Sequence, residues 1–232
     1  MQGVWRELAG LVLPVDCAGC GRPRTELCPW CRRALARDGH GPRRVTPRPT
    51  PAGLPRVWAG AAYGDEVRAV LLAHKERGAL RLAEPLGAAL AGAVRRVRVE
   101  GTPVLVPVPS ARRAVAGRGH DPVRRIALSA AADLRRSGAG ARVLAALRQR
   151  RAVVDQAGLS APQRLANLAG ALEVPGAAAR LLTDAPVVLV DDLVTTGATL
   201  AEAARAVAAA GGRVAGAATV AATRSAFAHN WN

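Results

Sequence analysis

Residues 187–200 constrain the fold more than any other segment of the chain. The apolar run at 187–190 is typical of a short buried strand, and Asp191 and Asp192 follow it directly. A turn rich in threonine comes next, at 195–199, and the pattern after it is helical. A buried strand that ends in carboxylates and turns into a helix is typical of a parallel α/β sheet, where ligands bind at the carboxyl ends of the strands.

The chain repeats this alternation from residue 57 onward. We predict strands at 57–63, 103–109, 186–190 and 213–220, and helices at 66–75, 81–96, 122–136 and 198–210. Strands that alternate with helices of this length predict one α/β domain over 57–232, with a parallel sheet flanked by helices. Residues 1–39 contain all four cysteines, and five prolines interleaved with arginine make 40–56 a predicted linker.

Basic charge dominates the chain, which carries a formal net charge of +16. Arginine supplies every basic residue except Lys75, so any single arginine carries little information. The sequence contains no uncharged apolar run of about 18 residues, which argues against a transmembrane helix. Its first residues lack the basic region of a secretory signal, and we therefore expect a cytoplasmic protein.

The four cysteines form two pairs, with two residues between Cys17 and Cys20 and again between Cys28 and Cys31. Two such knuckles supply the four thiolates of a tetrahedral metal, and we predict a structural zinc site. A segment this short buries little apolar surface, so the metal would supply much of its stability. Two disulfides, an iron–sulfur cluster and a redox pair at Cys28 and Cys31 are the alternatives.

The acidic pair and the turn after it predict a ligand that carries both a diol and a phosphate. Carboxylates accept hydrogen bonds from vicinal hydroxyls, and the backbone N–H groups of a turn at a helix N-terminus bind phosphate. Together they indicate a ribose 5-phosphate. The alternative is an acidic loop in which Thr199 or a neighbour merely caps the helix.

These residues resemble the motif that binds phosphoribosyl pyrophosphate (PRPP) in type I phosphoribosyltransferases. Further motifs narrow the resemblance to the ComF family, which joins an N-terminal cysteine-knuckle module to such a domain. They are the cysteine pairs at 17–31, Leu71-Leu72 with Lys75 and Gly78, Val106-Pro-Val-Pro109 with Arg112, Arg113, Arg118 and Gly119, and Arg151 with Gln156-Ala-Gly-Leu-Ser160, Arg164 and Asn167. The resemblance implies a type I phosphoribosyltransferase-like parallel sheet flanked by helices, with a small N-terminal zinc-knuckle module.

The resemblance also implies roles by position. Asp191 and Asp192 would bind the ribose diol, and Mg²⁺ would bind with PRPP. The loop for the 5-phosphate would consist of Thr195, Thr196, Gly197, Ala198 and Thr199. The candidates for pyrophosphate binding, or for the hood at 148–167, are Arg112, Arg113, Arg118, Arg151, Gln156 and Arg164. Lys75 and Arg118 would act in catalysis beside the two aspartates.

The implied reaction transfers the phosphoribosyl group to an acceptor with release of pyrophosphate. In the transferases that act on 6-oxopurines, an acid stands at the position of Thr195, so the threonine argues against purine salvage of that kind. No aromatic residue in the sequence is placed to stack on a nucleobase. The acceptor is therefore not identified by the sequence.

A second hypothesis is a non-catalytic scaffold of the same fold that binds single-stranded DNA and partner proteins. Residues 95–151 contain fourteen arginines against Glu100, Asp121 and Asp133, a net charge of +11 that favours binding to polyanions. Aromatic residues that would stack on bases are nearly missing. Bacterial members of the ComF family are linked to the uptake and processing of transforming DNA, so the resemblance implies a role in DNA uptake, DNA repair or nucleotide metabolism.

Overall fold

The computed structural model describes residues 16–36, 41–110, 112–151, 163 and 167–227 of the 232-residue chain. The helices within these residues are α1 (Pro29–Leu35), α2 (Asp65–Glu76), α3 (Ala83–Arg95), α4 (Arg112–Arg118), α5 (Pro122–Arg136), α6 (Gly176–Ala179) and α7 (Ala198–Ala209). The strands are β1 (Arg43–Val45), β2 (Val57–Ala62), β3 (Val104–Pro107), β4 (Arg142–Val143), β5 (Arg148–Gln149), β6 (Leu172–Glu173), β7 (Val187–Val194) and β8 (Val214–Ala222). Short 3₁₀ helices occur at Leu80–Leu82 and Arg224–Ala226. Over the part of the chain that is described, no helix has the length and apolar character needed to span a membrane.

Six of the described strands form one sheet in the order β1-β2-β8-β7-β3-β4. The neighbouring strands β2 and β8, β8 and β7, β7 and β3, and β3 and β4 are all parallel. The edge strand β1 is antiparallel to β2. Strands β5 and β6 pair separately as an antiparallel ladder. The predicted α/β class, with a mainly parallel sheet flanked by helices, is confirmed, whereas the antiparallel edge strand was not predicted.

Helices cover both faces of the sheet because its central strands are apolar on both sides. Val188 and Val190 of β7 belong to the same apolar cluster as Leu90 of α3 and Ile126 of α5. The intervening residues of β7 belong to a second cluster, on the other face, with α7. The alternation follows from the strand geometry, in which successive side chains point to opposite faces.

The chain leaves the neighbouring strands β3 and β7 toward opposite faces of the sheet. Strand β3 leads through α4 to α5 on one face, and β7 leads to α7 on the other. Two adjacent strands whose connections diverge leave a crevice at their carboxyl ends, which is where open α/β sheets bind ligands. The N–H of Val108 donates to the carbonyl oxygen of Val190 over 2.9 Å, so the segment after β3 lies beside the acidic pair.

Strand β7 continues beyond its predicted end at residue 190. It runs to Val194, and Asp191 is paired in register with Thr219 of β8. The two acids interrupt the apolar pattern that marks a strand, although the backbone pairing with β8 continues past them. The acidic pair therefore stands on a hydrogen-bonded strand, which holds its backbone in place.

The segment predicted as a linker, 40–56, contributes to the domain within its described part, 41–56. Arg43–Val45 forms β1 at the edge of the sheet. Pro47 and Leu54 lie against the turn after β7, because a Cβ added to Gly197 would be 3.0 Å from Leu54 and 3.4 Å from Pro47. A strand of three residues among prolines carries no periodicity, so the sequence pattern indicated only a linker.

The cysteine-containing segment packs against the helices of the same domain. Cys31 and Leu35 of α1 are buried in one apolar cluster with Val70 of α2. At the surface, the indole Nε1 of Trp30 donates a hydrogen bond to Glu66 Oε1 over 3.4 Å. The described part of the segment, 16–36, is thus joined to the helical layer formed by α2 and α3.

Gly87 lies where α3 and α5 approach each other most closely. A Cβ at this position would lie 2.5 Å from the side chain of Ser129 and 2.9 Å from the backbone nitrogen of Ala130. Alanine is favoured over glycine in a helix by about 1 kcal/mol, but forcing atoms into a closed interface costs about 1–3 kcal/mol. The clash at Gly87 involves backbone as well as a side chain, so the packing penalty should exceed the gain in helix propensity. We therefore predict that Gly87→Ala lowers the free energy of unfolding by about 1 kcal/mol in urea denaturation.

Gly117→Ala in α4 is the matched control, because a Cβ added there would have no neighbour within 4 Å. Helix propensity alone should leave this variant as stable as the wild type or slightly more stable. If Gly87→Ala were also neutral, the packing argument for Gly87 would be wrong.

Candidate functional site

Asp191 and Asp192 occupy different environments at the carboxyl end of β7. The side chain of Asp192 is 11% exposed, and its Oδ2 accepts a hydrogen bond from Lys75 Nζ over 2.7 Å. Asp191 is half-buried, and its Oδ1 accepts a hydrogen bond from the backbone N–H of Asp192 over 2.8 Å. One carboxylate is therefore paired with a cation, and the other depends on a backbone donor.

Lys75 lies in the last turn of α2 and reaches the acidic pair from a different part of the sequence. Burial lowers the pKa of the Lys75 ammonium, but the charge of Asp192 and its hydrogen bond outweigh burial and raise the pKa above the ordinary value. The ammonium therefore stays protonated beside the carboxylate. The structure brings this predicted catalytic residue to the aspartates, and its action on pyrophosphate stays a prediction.

Burial raises the pKa of the Asp191 carboxyl well above its ordinary range, and the neighbouring charge of Asp192 raises it further. Lys75 and the Asp192 N–H act in the opposite direction without cancelling these effects. The folded protein therefore carries an unfavourable charge at Asp191 once the pH exceeds its pKa. A ligand that donates hydroxyl hydrogens to this carboxylate would relieve that cost.

The turn from Thr195 to α7 exposes backbone donors at the start of a helix. Gly197 is the N-cap of α7 and has φ +78°, a left-handed conformation that glycine adopts without a Cβ penalty. Gly197 has no side chain with which to cap the helix, and Thr196 Oγ1 accepts a long hydrogen bond of 3.5 Å from the N–H of Ala198. The first turn of α7, where Thr199 also lies, is a helix start at which backbone N–H groups can bind an anion.

Arg118 is held at the end of α4 by a carboxylate from α2. Its Nε and Nη2 donate to the two carboxylate oxygens of Glu76 over 2.8 and 2.7 Å. Its positive charge is close enough to Lys75 to lower the pKa of that ammonium slightly, against the larger effect of Asp192. Glu76 therefore fixes the orientation of a predicted pyrophosphate-binding arginine within the charge network of the acidic pair.

The other residues predicted to bind pyrophosphate or to belong to the hood divide into three groups. Arg112 and Arg113 are the first two residues of α4, and the structure describes only their backbone. Arg151 donates through Nη2 to the carbonyl oxygens of Asn167 and Ala169, each over 2.9 Å, and so connects the two ends of the predicted hood. Gln156 and Arg164 lie outside the described residues.

The four cysteines converge although the spacing places them on two separate turns. The sulfur atoms of Cys17, Cys20, Cys28 and Cys31 all lie within 4.8 Å of one another, and the sulfurs of Cys20 and Cys28 are 3.6 Å apart. A tetrahedral zinc with bonds of about 2.3 Å separates its sulfur ligands by about 3.8 Å. The arrangement therefore fits a four-coordinate metal whose ligands all come from the protein.

The backbone around the cysteines is also arranged to receive thiolates. A Cβ added to Gly19 would lie 2.6 Å from Cys31 Sγ, so glycine leaves room for the sulfur. Burial acts to raise the pKa of Cys17, but hydrogen bonds from backbone N–H groups, that of Cys28 first, lower it to about 6. A hydrogen bond from the N–H of Cys31 lowers the pKa of Cys28. At these two positions the backbone donors favour the ionised sulfur that binds metals, whereas burial raises the pKa of Cys31.

The chain is similar to one protein family over its C-terminal part. A family model described as phosphoribosyl transferase domain matches residues 140–229, a range that contains β7, the acidic pair, the turn at 195–197 and α7. The fold of the α/β domain is thus of the type I phosphoribosyltransferase kind. No curated protein matches the chain.

Sequence reasoning missed two carboxylates that organise this region. Glu76 is one residue from Lys75, and only the fold shows that it holds Arg118. Glu202 is 5% exposed in α7, where its Oε1 accepts a hydrogen bond from the Leu172 N–H and both oxygens accept from Arg205. A glutamate on the apolar face of a helix, three residues before an arginine, was the signal available for Glu202.

The raised pKa of Asp191 predicts a stability effect that depends on pH. An acid whose pKa is raised by folding stabilises the folded state below its ordinary pKa, and this contribution is lost as the pH rises toward the folded-state value. Asp191→Asn should therefore raise the free energy of unfolding by on the order of 1 kcal/mol at pH 8 and leave it nearly unchanged near pH 4. Urea denaturation at both pH values measures this difference.

Asp184→Asn is the control, because Asp184 is an exposed carboxylate on the loop before β7. It should show no comparable difference between the two pH values. A destabilised Asp191→Asn at pH 8 would contradict the assignment of an unfavourable charge to Asp191.

Proposed function

We propose that the chain is a ComF-type phosphoribosyltransferase that binds Mg-PRPP and transfers its phosphoribosyl group to an acceptor, with release of pyrophosphate. The observation that carries the proposal is the position of Asp191 and Asp192 at the crevice between β3 and β7, followed after a short turn by the start of α7. Carboxylates that can accept hydrogen bonds from a diol are thus followed by backbone N–H groups that can donate to a phosphate. A ribose 5-phosphate carries both of these groups. The family match over 140–229 supports the same ligand class.

In this proposal the residues bind and orient the ligand rather than form a covalent intermediate. Asp191 and Asp192 accept hydrogen bonds from the ribose hydroxyls, and the N–H groups at the start of α7 bind the 5-phosphate. Arg118 and Lys75 stabilise the negative charge that develops on the departing pyrophosphate. Carboxylate oxygens are ligands that Mg²⁺ prefers, and the ion bound with PRPP would neutralise part of the leaving-group charge.

Titration calorimetry with Mg-PRPP tests the ligand. Each hydrogen bond to a charged group contributes about 1.5–3 kcal/mol, so we predict that Asp191→Asn/Asp192→Asn weakens binding at least about 100-fold. Asp184→Asn should bind as the wild type does. Equal affinity in the wild type and the double variant, or no binding by the wild type, would exclude the proposal.

We propose that the cysteine cluster is a structural zinc site. Four sulfurs within 4.8 Å of one another, three of them on buried cysteines and one on the exposed Cys20, supply all four ligands of a tetrahedral metal and leave no open coordination position for a substrate. Elemental analysis of the purified protein should give about one zinc per chain. Cys28→Ser should lose the metal and unfold at a lower temperature, because Cys28 lies fully buried beside α2 and α3.

Two results would contradict the zinc assignment. A folded protein without metal would show that the apolar packing of the segment is sufficient. Iron with the visible absorption of a cluster, or oxidation of the four thiols to two disulfides in the native protein, would favour the alternatives.

A second candidate function is a scaffold that binds single-stranded DNA without transferring the phosphoribosyl group. The observation that favours it is Trp30, which is 53% exposed, with the guanidinium of Arg33 5.8 Å from its ring centre. An exposed indole beside an arginine is a surface on which a base can stack. Pyrophosphate release across a panel of acceptor bases distinguishes the two functions, because a scaffold would bind PRPP without consuming it.

A further inference from the structure

A large cavity lies between the cysteine-containing segment and the helices α3 and α5. Its volume is about 950 Å³, and none of the residues that form the predicted PRPP motif lines it. We propose that this groove binds a second ligand, a phosphate monoester with an attached ring group, of about the size of a nucleotide. The proposal does not depend on the identity of the ligand at Asp191 and Asp192.

Arginines give the groove its preference for anions. The charged side chains that reach it from the basic side are those of Arg32, Arg81, Arg124 and Arg125. Arg81 is paired with Glu26 over 3.3 Å at the exposed rim. Among the residues that the structure describes, no carboxylate pairs with the other three. A guanidinium fork matches the oxygens of a phosphate group, so three such groups around one cavity favour a phosphorylated ligand.

The acidic residues of the groove do not neutralise these arginines. Asp121 uses its Oδ1 to cap α5, where it accepts a hydrogen bond from the backbone N–H of Arg124 over 3.0 Å. Glu26 is occupied by Arg81, which leaves Glu84 as the remaining carboxylate of the lining. The three unpaired guanidinium groups therefore outnumber the unpaired carboxylates in the described lining, and the groove has room for added negative charge.

Apolar side chains in the same groove favour a ligand that carries more than a phosphate. Leu80 is 37% exposed and Leu128 is 44% exposed, and both line the cavity. Large aliphatic side chains at a concave surface gain free energy when a flat ring covers them. A cavity of this volume is at the upper end of the range for small-molecule sites, and it accommodates a phosphate and a ring together.

The cysteine-containing segment forms one wall of the groove. Glu26 and Leu27 lie between the two cysteine pairs, and Arg32 follows Cys31 directly. Opposite this wall stands His120, whose Nε2 is 3.2 Å from the carbonyl oxygen of His74, the residue before Lys75. The groove is therefore connected to the acidic site by one hydrogen bond and one peptide step, and it gives the cysteine module a role in ligand binding.

Titration calorimetry with adenosine 3′-monophosphate tests the proposal. This probe has a phosphate and a ring but lacks the 5′-phosphate and the free vicinal diol that the turn before α7 and the two aspartates would recognise. We expect it to bind the wild type, and Arg124→Gln/Arg125→Gln to weaken it at least about tenfold through loss of phosphate contacts. Adenosine, which has no phosphate, should bind at least about tenfold more weakly than the probe.

Two control variants distinguish probe binding in the groove from nonspecific attraction to positive charge and from binding at Asp191 and Asp192. Arg180→Gln/Arg213→Gln removes two exposed arginines that do not line the groove, and it should bind the probe as the wild type does. Asp191→Asn/Asp192→Asn should also leave probe binding unchanged, whereas Arg124→Gln/Arg125→Gln should still bind Mg-PRPP. Thermal unfolding verifies that each variant is folded.

Four results would overturn the proposal. They are no probe binding by the wild type, equal binding by the Arg124→Gln/Arg125→Gln variant, equal loss in the Arg180→Gln/Arg213→Gln variant, and loss in the Asp191→Asn/Asp192→Asn variant. An oligothymidylate of eight nucleotides could bind at the arginines of the groove while the mononucleotide does not. That result would show that the groove binds a nucleic acid strand instead.

Discussion

The ion pair between Lys75 and Asp192 is the interaction on which the acidic site depends. Two adjacent carboxylates at the poorly solvated carboxyl end of a central strand repel each other, and burial adds a cost to each charge. Lys75 brings a protonated amine within 2.7 Å of one of them, from the last turn of α2. The amine compensates one charge and leaves the other, at Asp191, with a raised pKa. The site thus retains an unsatisfied acceptor for a ligand without accumulating two uncompensated charges.

The position of this pair is a consequence of topology. Strands β3 and β7 are neighbours, but their connections diverge to opposite faces, so the crevice between them is open at the carboxyl ends. The same divergence places the N-terminus of α7 directly after the acids and brings the segment that contains α4 beside them. Helix α2 then needs only to end near the crevice for Lys75 and Glu76 to reach it. Four elements supply the charged groups, and the sheet order accounts for their convergence.

The sequence predicted the elements that have long, regular patterns. Helix α5 was predicted with the bounds it has in the structure, because Pro122 marks its start and its apolar residues recur at helical spacing. The strand at β7 was predicted too short, because acids end the apolar pattern before the backbone pairing ends. Segment 40–56 was predicted as a linker, because three residues of strand and two packed side chains leave no periodic signal.

At the acidic site, too, features that are local in sequence could be predicted and long-range pairings could not. The acids and the threonine-rich turn are contiguous in sequence, so their chemistry could be inferred from their order. The pairing of Arg118 with Glu76, and of Lys75 with Asp192, joins residues 42 and 117 positions apart and depends on where α2 ends relative to the carboxyl end of β7. Lys75 was singled out by its rarity and by the family pattern, whereas its partner could not be derived from either. The groove beside the cysteines needs three separate segments and has no local signature.

The two cations of the acidic site differ in how readily they can turn to an anionic ligand. Glu76 is 44% exposed, so its pairing with Arg118 is screened by solvent and contributes about 0–1 kcal/mol. Asp192 is 11% exposed, and removing Lys75 from it would leave a poorly solvated carboxylate without a counter-charge. Arg118 is therefore the group that can exchange its carboxylate for a pyrophosphate at little cost. In the proposed reaction, Lys75 stays paired with Asp192 and acts on the pyrophosphate through its positive charge from that position, while Asp191 accepts the ligand.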